Sequence, residues 1–495
     1  MHCSPAIRAS HLEARNDVLQ VMIVADVLRG KVSPINVFKW IFMKRYWRLF
    51  RPHYVETRKL ALPVIIAQVG QITVGLVDNM MIGQLGKTEL AAAAFANTLF
   101  ALPLIFGMGF SMAITPLTGK AFGSSDFDNL KGLKKGAFLT NGLMALILSL
   151  VCWGLYIAMP HMQQPVNILP HSRQFFSIIS LSIIPLMFFL SGKQLSEGLS
   201  NTKVAMAVTL IANVVNIIGN YVLIFGNWGA PALGLNGAGI STLSSRVIMA
   251  ICMVLFIRRL SPLGKNAIKI PFNQVIKHVK AVFKLGIPMG LHMFSEASAF
   301  IIAGIMIGWI SDTGLAAHQI VMSLSTFGFM LYQGIGASTT IRISQFSARQ
   351  VPMLMRQASK ASIQIVMVMV LIISSAFILL REWLPQLFTD DGEVIALASK
   401  MIIVLVIFQL FDAFQIVYSG ILRGMADATI PGILTVISYF GIAIPFSYWA
   451  AFMGGYGELG IWLGFPVGLG ICALLFYFRI QKLQKRALKS QLQTN

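Results

Sequence analysis

Residues 60–83 read LALPVIIAQVGQITVGLVDNMMIG, and this stretch decides the class of fold. It is predominantly apolar over a length that lets an α-helix cross a bilayer. It does not show the strict alternation of an outer-membrane β-strand. One acidic residue, Asp78, interrupts it, and no lysine or arginine lies within eight positions of Asp78. The stretch therefore predicts a transmembrane helix that carries a carboxylate.

The whole chain shares this apolar character. Of its 495 residues, 56% are hydrophobic and 12% are charged, and the mean hydropathy is +0.74. Soluble domains carry about 25% charged residues, so this class is excluded. We predict an all-α polytopic membrane protein with twelve spans. The expected spans are 60–82, 90–115, 136–159, 174–196, 204–225, 236–257, 282–309, 315–340, 361–380, 401–421, 431–452 and 459–478.

Basic residues are distributed unevenly among the loops between these spans. If both termini are cytoplasmic, 33 of the 39 lysines and arginines fall on the cytoplasmic side. Only Lys87, Arg173, Arg381 and Lys400 fall on the opposite side. Because cytoplasmic loops collect lysine and arginine, the pattern predicts a plasma or bacterial inner membrane protein with both termini inside. It also explains the net charge of +21 without a nucleic-acid partner.

The chain repeats itself after about half its length. A shift of 225 residues places RKLALP (58–63) on FKLGIP (283–288). A shift of 226 places SEGLSN (196–201) on LRGMAD (422–427). Six spans are thus followed by six equivalent spans in the same orientation, which predicts two pseudo-symmetric lobes and a transporter layout.

This organisation divides the chain into five segments. They are a basic amphipathic N-terminal extension (1–58), a first lobe (59–257), a cytoplasmic linker (258–281), a second lobe (282–478) and a basic tail (479–495). The extension contains VFKWIFMKRYWRLFR, a pattern typical of helices that lie on an anionic membrane surface. Met43 within it is an alternative start of translation.

Three acidic residues are predicted well inside the bilayer: Asp78 in span 1, Glu296 in span 7 and Asp412 in span 10. A charge at the centre of a span costs about 2.5 kcal/mol or more. The usual reason to keep one is an ion or substrate pathway, and the alternative is a carboxylate held by a neighbouring helix. If spans 7 and 10 face each other, Glu296 and Asp412 could share a proton or hold Na⁺.

Other polar residues are candidates for the substrate pathway. Arg246 in span 6 is either a structural counterion or part of a polar cavity. Asn216 and Asn220 share one face of span 5, where they either join helices or line the pathway. Gln71 aligns with Glu296 in the repeat, and Gln319 lies at the outer start of span 8.

Cysteine and histidine spacing indicates no other metal site. The four cysteines include no CxxC pair, and no second histidine or cysteine lies at ligand spacing from His318. We expect no cofactor other than the coupling ion, no enzymatic activity and a monomer.

Several blocks of the chain, in order, resemble the MATE (multidrug and toxic compound extrusion) transporters, and the NorM-like branch in particular. These blocks are GLVDNMMIGQLG (75–86), LGIPMGLHMFSEASAF (285–300), LAAHQI (315–320), FDAFQIVYSGILRGMADA (411–428) and LGIWLGF (459–465).

The resemblance implies secondary antiport, in which amphipathic, mostly cationic organic compounds leave as Na⁺ or H⁺ enters. It implies a cation site at Glu296 and Asp412, with Asp78 as the matching acid of the first lobe. It places Asn216 and Asn220 near the first-lobe cavity. One departure is Phe408, which stands four residues before Asp412 where this branch is expected to have a tyrosine.

Two alternatives compete with this interpretation. A flippase for lipid-linked precursors, from the same superfamily, is expected to have additional spans and a strongly cationic cavity. An intramembrane aspartyl protease would use Asp78 and Asp412, but the contexts GLVDN and QLFDA lack the GxGD-type pattern.

Overall fold

A computed structural model describes residues 34–260 and 271–494 of the chain. Within these residues all regular structure is helical, and twelve helices are long and apolar enough to cross a membrane. The predicted number of spans is confirmed. The spans are Trp47–Gly83, Lys87–Gly123, Phe127–His161, Leu169–Gly198, Thr202–Phe225, Leu235–Arg259, Phe272–Gly308, Asp312–Ala348, Pro352–Leu379, Gly392–Gly424, Thr429–Met453 and Gly457–Lys489.

Several helices are longer than predicted. Span 7 begins at Phe272 rather than near residue 282, and span 8 continues to Ala348 rather than ending near residue 340. Hydropathy reports only the part of a helix that suits the hydrocarbon core, whereas a helix can continue into water with polar side chains. Residues 1–33 of the predicted extension and 261–270 of the predicted linker lie outside the described residues.

Three spans depart from a continuous α-helix. Span 2 breaks between Lys87–Ser111 and Ile114–Gly123, and span 4 breaks at Ser182. Span 11 contains a π-helical segment, Ile437–Ala443. Pro445 follows it and lacks the N–H that would continue the α-helical ladder. Such segments are common at functional sites, because they reorient the side chains that they carry.

The backbone itself repeats at the corners between spans. Six described residues other than glycine have positive φ, and four of them lie at the corners that repeat: Ser125 (57°), Ser200 (64°), Gln350 (54°) and Ala426 (59°). In each case the following residue donates its N–H to the carbonyl of the residue five positions before it. This hydrogen bond closes the C-terminal end of the preceding helix. Ser125 and Gln350 are 225 residues apart, and Ser200 and Ala426 are 226 apart. These are the shifts that align the two halves in sequence.

The two halves pack closely where spans 2, 4 and 8 end. A Cβ atom added to Gly123, the last residue of span 2, would lie 2.7 Å from the carbonyl oxygen of Gln345 in span 8. Gln345 of span 8 donates to the carbonyl of Gly198 at 3.2 Å and to the hydroxyl of Ser200 at 2.9 Å. The interface between the halves is therefore closed at the end that carries the 2–3, 4–5 and 8–9 loops.

The positive φ at Ser125 predicts a stabilising substitution. Ser125 is exposed, and a left-handed conformation costs a residue with a Cβ atom about 1–2 kcal/mol, which glycine avoids. We expect Ser125→Gly to raise the thermal stability of the purified protein. Ser124→Gly is the matched control, because Ser124 has a φ of −85° and glycine gains nothing there. A lower stability for Ser125→Gly than for Ser124→Gly would contradict this account.

Candidate functional site

The second lobe brings together two of the three predicted carboxylates. Glu296 of span 7 and Asp412 of span 10 are close enough for their charges to interact. Asp412 is 1% exposed, and neither of its carboxylate oxygens has a hydrogen-bond partner. A buried charge without a partner is costly, so an ionised Asp412 is unfavourable unless a proton or a cation neutralises it.

Two tyrosines and a glutamine complete the surroundings of this pair. Tyr439, from the π-helical segment of span 11, lies beside Glu296, but its buried hydroxyl makes no hydrogen bond of good geometry. Tyr332 of span 8 donates to Oε1 of Gln409 at 2.9 Å. The Nε2 atom of Gln409 is buried without an acceptor. The cluster is thus rich in oxygen atoms and incompletely satisfied.

One arginine lies near the carboxylate pair. Arg423, in the last turn of span 10, interacts electrostatically with Glu296. Its Nη1 donates to the sulfur of Met112 at 3.2 Å, at the break in span 2 of the other half. With Glu296 and Asp412 ionised and Arg423 charged, the cluster carries one net negative charge.

Few charged side chains are available to bind a cation beside Glu296 and Asp412. Among the described residues, no group of three or more His, Cys, Asp or Glu side chains could hold a metal ion. The two carboxylates and neighbouring neutral oxygens are therefore the available ligands. Such hard oxygen ligands suit Na⁺ as well as a proton.

The first lobe contains a second polar cluster around Asp78. Asn220 Nδ2 donates to Oδ1 of Asp78 at 2.5 Å. Asn216 contacts the Ser241 hydroxyl, which in turn donates to the Asn216 carbonyl at 2.8 Å. The Oδ1 atoms of both asparagines are nevertheless buried without a donor. The asparagine side chains therefore hydrogen-bond to neighbouring spans, and each leaves its amide oxygen without a donor.

Arg246 supplies the opposite charge that the sequence around Asp78 lacks. Its Nη1 donates to the Ser182 hydroxyl at 2.6 Å, at the break in span 4. Its guanidinium lies 5.3 Å from the centre of the Phe100 ring. Arg246 and Asp78 interact electrostatically but do not form a direct ion pair.

The remaining pathway candidates lie outside these clusters. Phe408 is 2% exposed and packs edge-on against Phe300, at 5.7 Å, and Trp462, at 6.2 Å, so the geometry places it in the core of the second lobe. Gln319 is exposed, and Gln71 is half-buried. No hydrogen bond joins either glutamine side chain to a cluster, so their pathway roles stay predictions.

Sequence reasoning missed several residues of the second-lobe cluster. They are His292, Tyr332, Gln409, Gln415, Arg423, Tyr439 and Cys472. One signal was available, because Gln409, Asp412 and Gln415 recur every three residues and so share a face of span 10.

A cavity of about 340 Å³ lies elsewhere, where spans 8, 10 and 12 end. Its lining includes Gln350 and the ion pair between Arg479 and Asp427, at 2.8 Å. No residue of either polar cluster lines it. We therefore assign the candidate functional site to the clusters rather than to this cavity.

Twelve spans in two repeated halves, each with a polar cluster inside the bilayer, define a membrane transporter rather than an enzyme. The family model of MatE matches residues 63–222 and 288–449, two stretches that begin 225 residues apart. The chain belongs to the MatE family, as its motifs indicate. Asp78 and Asp412 lie in separate clusters, which removes the geometric basis of the protease alternative.

Curated relatives and a solved structure agree with this assignment. The chain is 30% identical over 448 residues to a probable multidrug resistance protein NorM of Agrobacterium fabrum, with 88% of this chain and 96% of that protein covered. It is 31% identical over 441 residues to a probable NorM of Rhizobium meliloti, covering 88% and 94%. An outward-facing multidrug resistance MATE family transporter matches with a TM-score of 0.81 at 16% identity, covering 88% of this chain and 97% of that chain.

The unsatisfied carboxylate of Asp412 predicts an unusual effect on stability. In sodium-free buffer at alkaline pH, we expect Asp412→Asn to raise the free energy of unfolding by about 1 kcal/mol or more, because it removes a buried charge. Asp427→Asn should lower it by a similar amount, since Asp427 is paired with Arg479. Thermal unfolding of the purified variants tests both, and a loss of stability in Asp412→Asn would contradict the description of its site.

Proposed function

We propose that this protein is a cation-coupled multidrug antiporter. In this proposal, amphipathic, mostly cationic organic compounds leave the cell while Na⁺ or H⁺ enters. The observation that carries it is the pair Glu296 and Asp412, two interacting carboxylates in the membrane whose surroundings leave Asp412 without a partner. The names of the two NorM relatives, both probable multidrug resistance proteins, support the class of substrate.

Transport would follow from rocking of the two lobes about the interface between them. The contacts of Gly123 and Gln345 close one end of this interface, so the state described here would open towards the other end. A bound cation neutralises the second-lobe carboxylates, and it can shift the equilibrium only by its differential affinity for the two states. Substrate competes for the same or coupled carboxylates.

In the proposed orientation the transporter lies in the plasma or bacterial inner membrane, and both termini are in the cytoplasm. The support is the distribution of lysine and arginine, most of which lie on the side of the 2–3, 6–7 and 8–9 loops. The closed end of the interface is then the cytoplasmic end. The proposal keeps residues 59–257 and 282–478 as the two lobes, joined by the linker 258–281.

The identity of the coupling ion depends on the ligands around the carboxylate pair. Tyr332, Tyr439 and Gln409 offer neutral oxygens that suit Na⁺. Phe408 stands where the NorM-like branch is expected to have a tyrosine, so the tyrosine hydroxyl is missing as a ligand. The Phe408 ring packs against another aromatic ring instead. A proton shared by Glu296 and Asp412 needs no further ligand. A Na⁺ gradient and a proton gradient, imposed one at a time, distinguish the two ions.

We expect Glu296→Gln and Asp412→Asn each to abolish gradient-driven efflux, because each removes a charge that the coupling ion must neutralise. The measurement is efflux of a fluorescent organic cation from proteoliposomes under a Na⁺ gradient or a proton gradient, imposed one at a time. Glu458→Gln is the control, since Glu458 accepts from Ser311 outside both clusters. Full efflux in both site variants would contradict the assigned cation site.

Asp78 is expected to act separately, by titrating or by binding substrate in the first lobe. We expect Asp78→Asn to change the pH profile of efflux without abolishing ion binding by the second lobe. Efflux rates measured across the pH range in the same proteoliposomes test this. An unchanged rate at every pH would show that Asp78 has only a structural role beside Asn220.

A further inference from the structure

The cavity of about 340 Å³ where spans 8, 10 and 12 end belongs to neither polar cluster. Its walls come from the 8–9 corner, the 10–11 corner and the last turns of span 12. Most of the lining is apolar and includes Met355, Met425 and Leu483, and its charged residues are Arg479 and Asp427. An apolar cavity with a few polar groups is the usual form of a site for a small amphipathic molecule.

The guanidinium of Arg479 is only partly satisfied by its neighbours. Its Nε donates to Oδ2 of Asp427 at 2.8 Å, and the Arg479 side chain keeps 21% of its surface exposed. Among the described residues neither of its Nη atoms has an acceptor. A guanidinium presents five N–H donors in a planar fork, so the free donors can bind the oxygens of a phosphate group.

Two further basic residues lie beside Arg479 on the same helix. Lys482 follows it by three positions and Arg486 by seven, so the three side chains lie on successive turns at the border of the cavity. Lys482 and Arg486 are exposed, and no carboxylate in the part of the chain that the structure describes forms an ion pair with either. Because Asp427 balances Arg479, this rim carries two uncompensated positive charges, which favour an anionic ligand.

The cavity lies at the level where the apolar part of span 12 gives way to charged residues. The predicted span ends at residue 478, and Arg479 comes directly after it. Two apolar side chains near this level are exposed, Phe478 by 59% and Met353 by 61%. Exposed apolar side chains next to basic ones are typical of the boundary between lipid chains and headgroups.

The equivalent positions of the first lobe are filled. The shift of 226 residues that aligns the two halves places Arg479 on Met253 and Leu483 on Ile257. Met253 and Ile257 are both fully buried and belong to the apolar core of the first lobe. Since the two lobes share their backbone arrangement, the cavity and its charges come from the side chains of the second lobe.

We propose that this cavity binds an anionic phospholipid of the cytoplasmic leaflet. The lipid phosphate contacts the free Nη donors of Arg479 and the ammonium and guanidinium groups of Lys482 and Arg486. The first part of an acyl chain lies along Met355 and Leu483. The cytoplasmic leaflet has a negative surface potential from its anionic lipids, which attracts basic residues at the membrane surface. The choice of leaflet rests on the proposed orientation, whereas binding itself is independent of transport.

The test titrates two lipids into the full-length protein in detergent and measures their dissociation constants by native mass spectrometry. Dioctanoyl phosphatidylglycerol is anionic, and dioctanoyl phosphatidylcholine has the same chains on a zwitterionic headgroup. We expect the wild-type chain to bind the anionic lipid roughly tenfold or more tightly. The variant with both Lys482→Gln and Arg486→Gln should lose most of this preference. Its matched control combines Lys277→Gln and Lys280→Gln, two exposed lysines of span 7 outside the cavity, and should keep the preference.

A second variant separates the cavity from general attraction to the basic surface. Ala487 lines the cavity, so the indole of Ala487→Trp fills the space without changing the charge. We expect this variant to bind phosphatidylglycerol roughly tenfold more weakly. Leu488→Trp is the control, because Leu488 is exposed and does not line the cavity, and it should bind as the wild-type chain does. If Ala487→Trp fails to fold, Ala487→Leu fills part of the same space.

Three results would overturn the proposal. The first is equal affinity of the wild-type chain for the two lipids. The second is an Ala487→Trp variant that binds phosphatidylglycerol as tightly as the wild-type chain, since the lipid would then lie outside the cavity. The third is displacement of phosphatidylglycerol by excess inorganic phosphate, which would make a free phosphate the occupant. Absence of efflux in proteoliposomes would reject the antiporter proposal and leave the lipid site standing.

Discussion

A charged group inside a membrane must find its partners on neighbouring helices, because no bulk water is available there. This constraint organises both clusters of the protein. Asp78 is stabilised by an amide from span 5 and by the field of Arg246 from span 6. Asp412 has no such partner and faces a second carboxylate instead. The breaks in spans 2 and 4 and the π-helical segment of span 11 position the groups around them.

The two lobes share the same backbone arrangement but carry different charged residues. Positive φ recurs at equivalent corners, yet the acids do not recur: Asp78 aligns with Ala303, and Asp412 aligns with Leu186. Ala303 and Leu186 are buried apolar core positions, so the scaffold itself requires no charge there. The first lobe balances one acid with one arginine, whereas the second holds two acids and Arg423. This difference is the reason that we propose the second lobe for the coupling ion and the first lobe for organic substrate.

The spans, the repeat and the three intramembrane acids could be predicted because hydropathy, periodicity and charge are local properties of the sequence. The start of span 7 could not, since its first turns are polar and continue the helix beyond the apolar run. Which side chains the acids would meet could not be predicted for a different reason, although Arg246 and Asn220 were already candidates. Arg246 and Tyr439 reach the clusters from other spans, and only packing decides which helix faces which. The spacing of Gln409 and Gln415 around Asp412 was a readable signal.

The central claim is that Glu296 and Asp412 bind the coupling cation. Direct cation uptake tests it without any transport step: ²²Na⁺ bound at equilibrium, and protons taken up from weakly buffered solution, are measured on the purified chain. The account predicts that the wild-type protein takes up Na⁺ or H⁺ and that the variant with both Glu296→Gln and Asp412→Asn loses this uptake, while Asp427→Asn retains it. Undiminished uptake of the same ion by the double variant would contradict it.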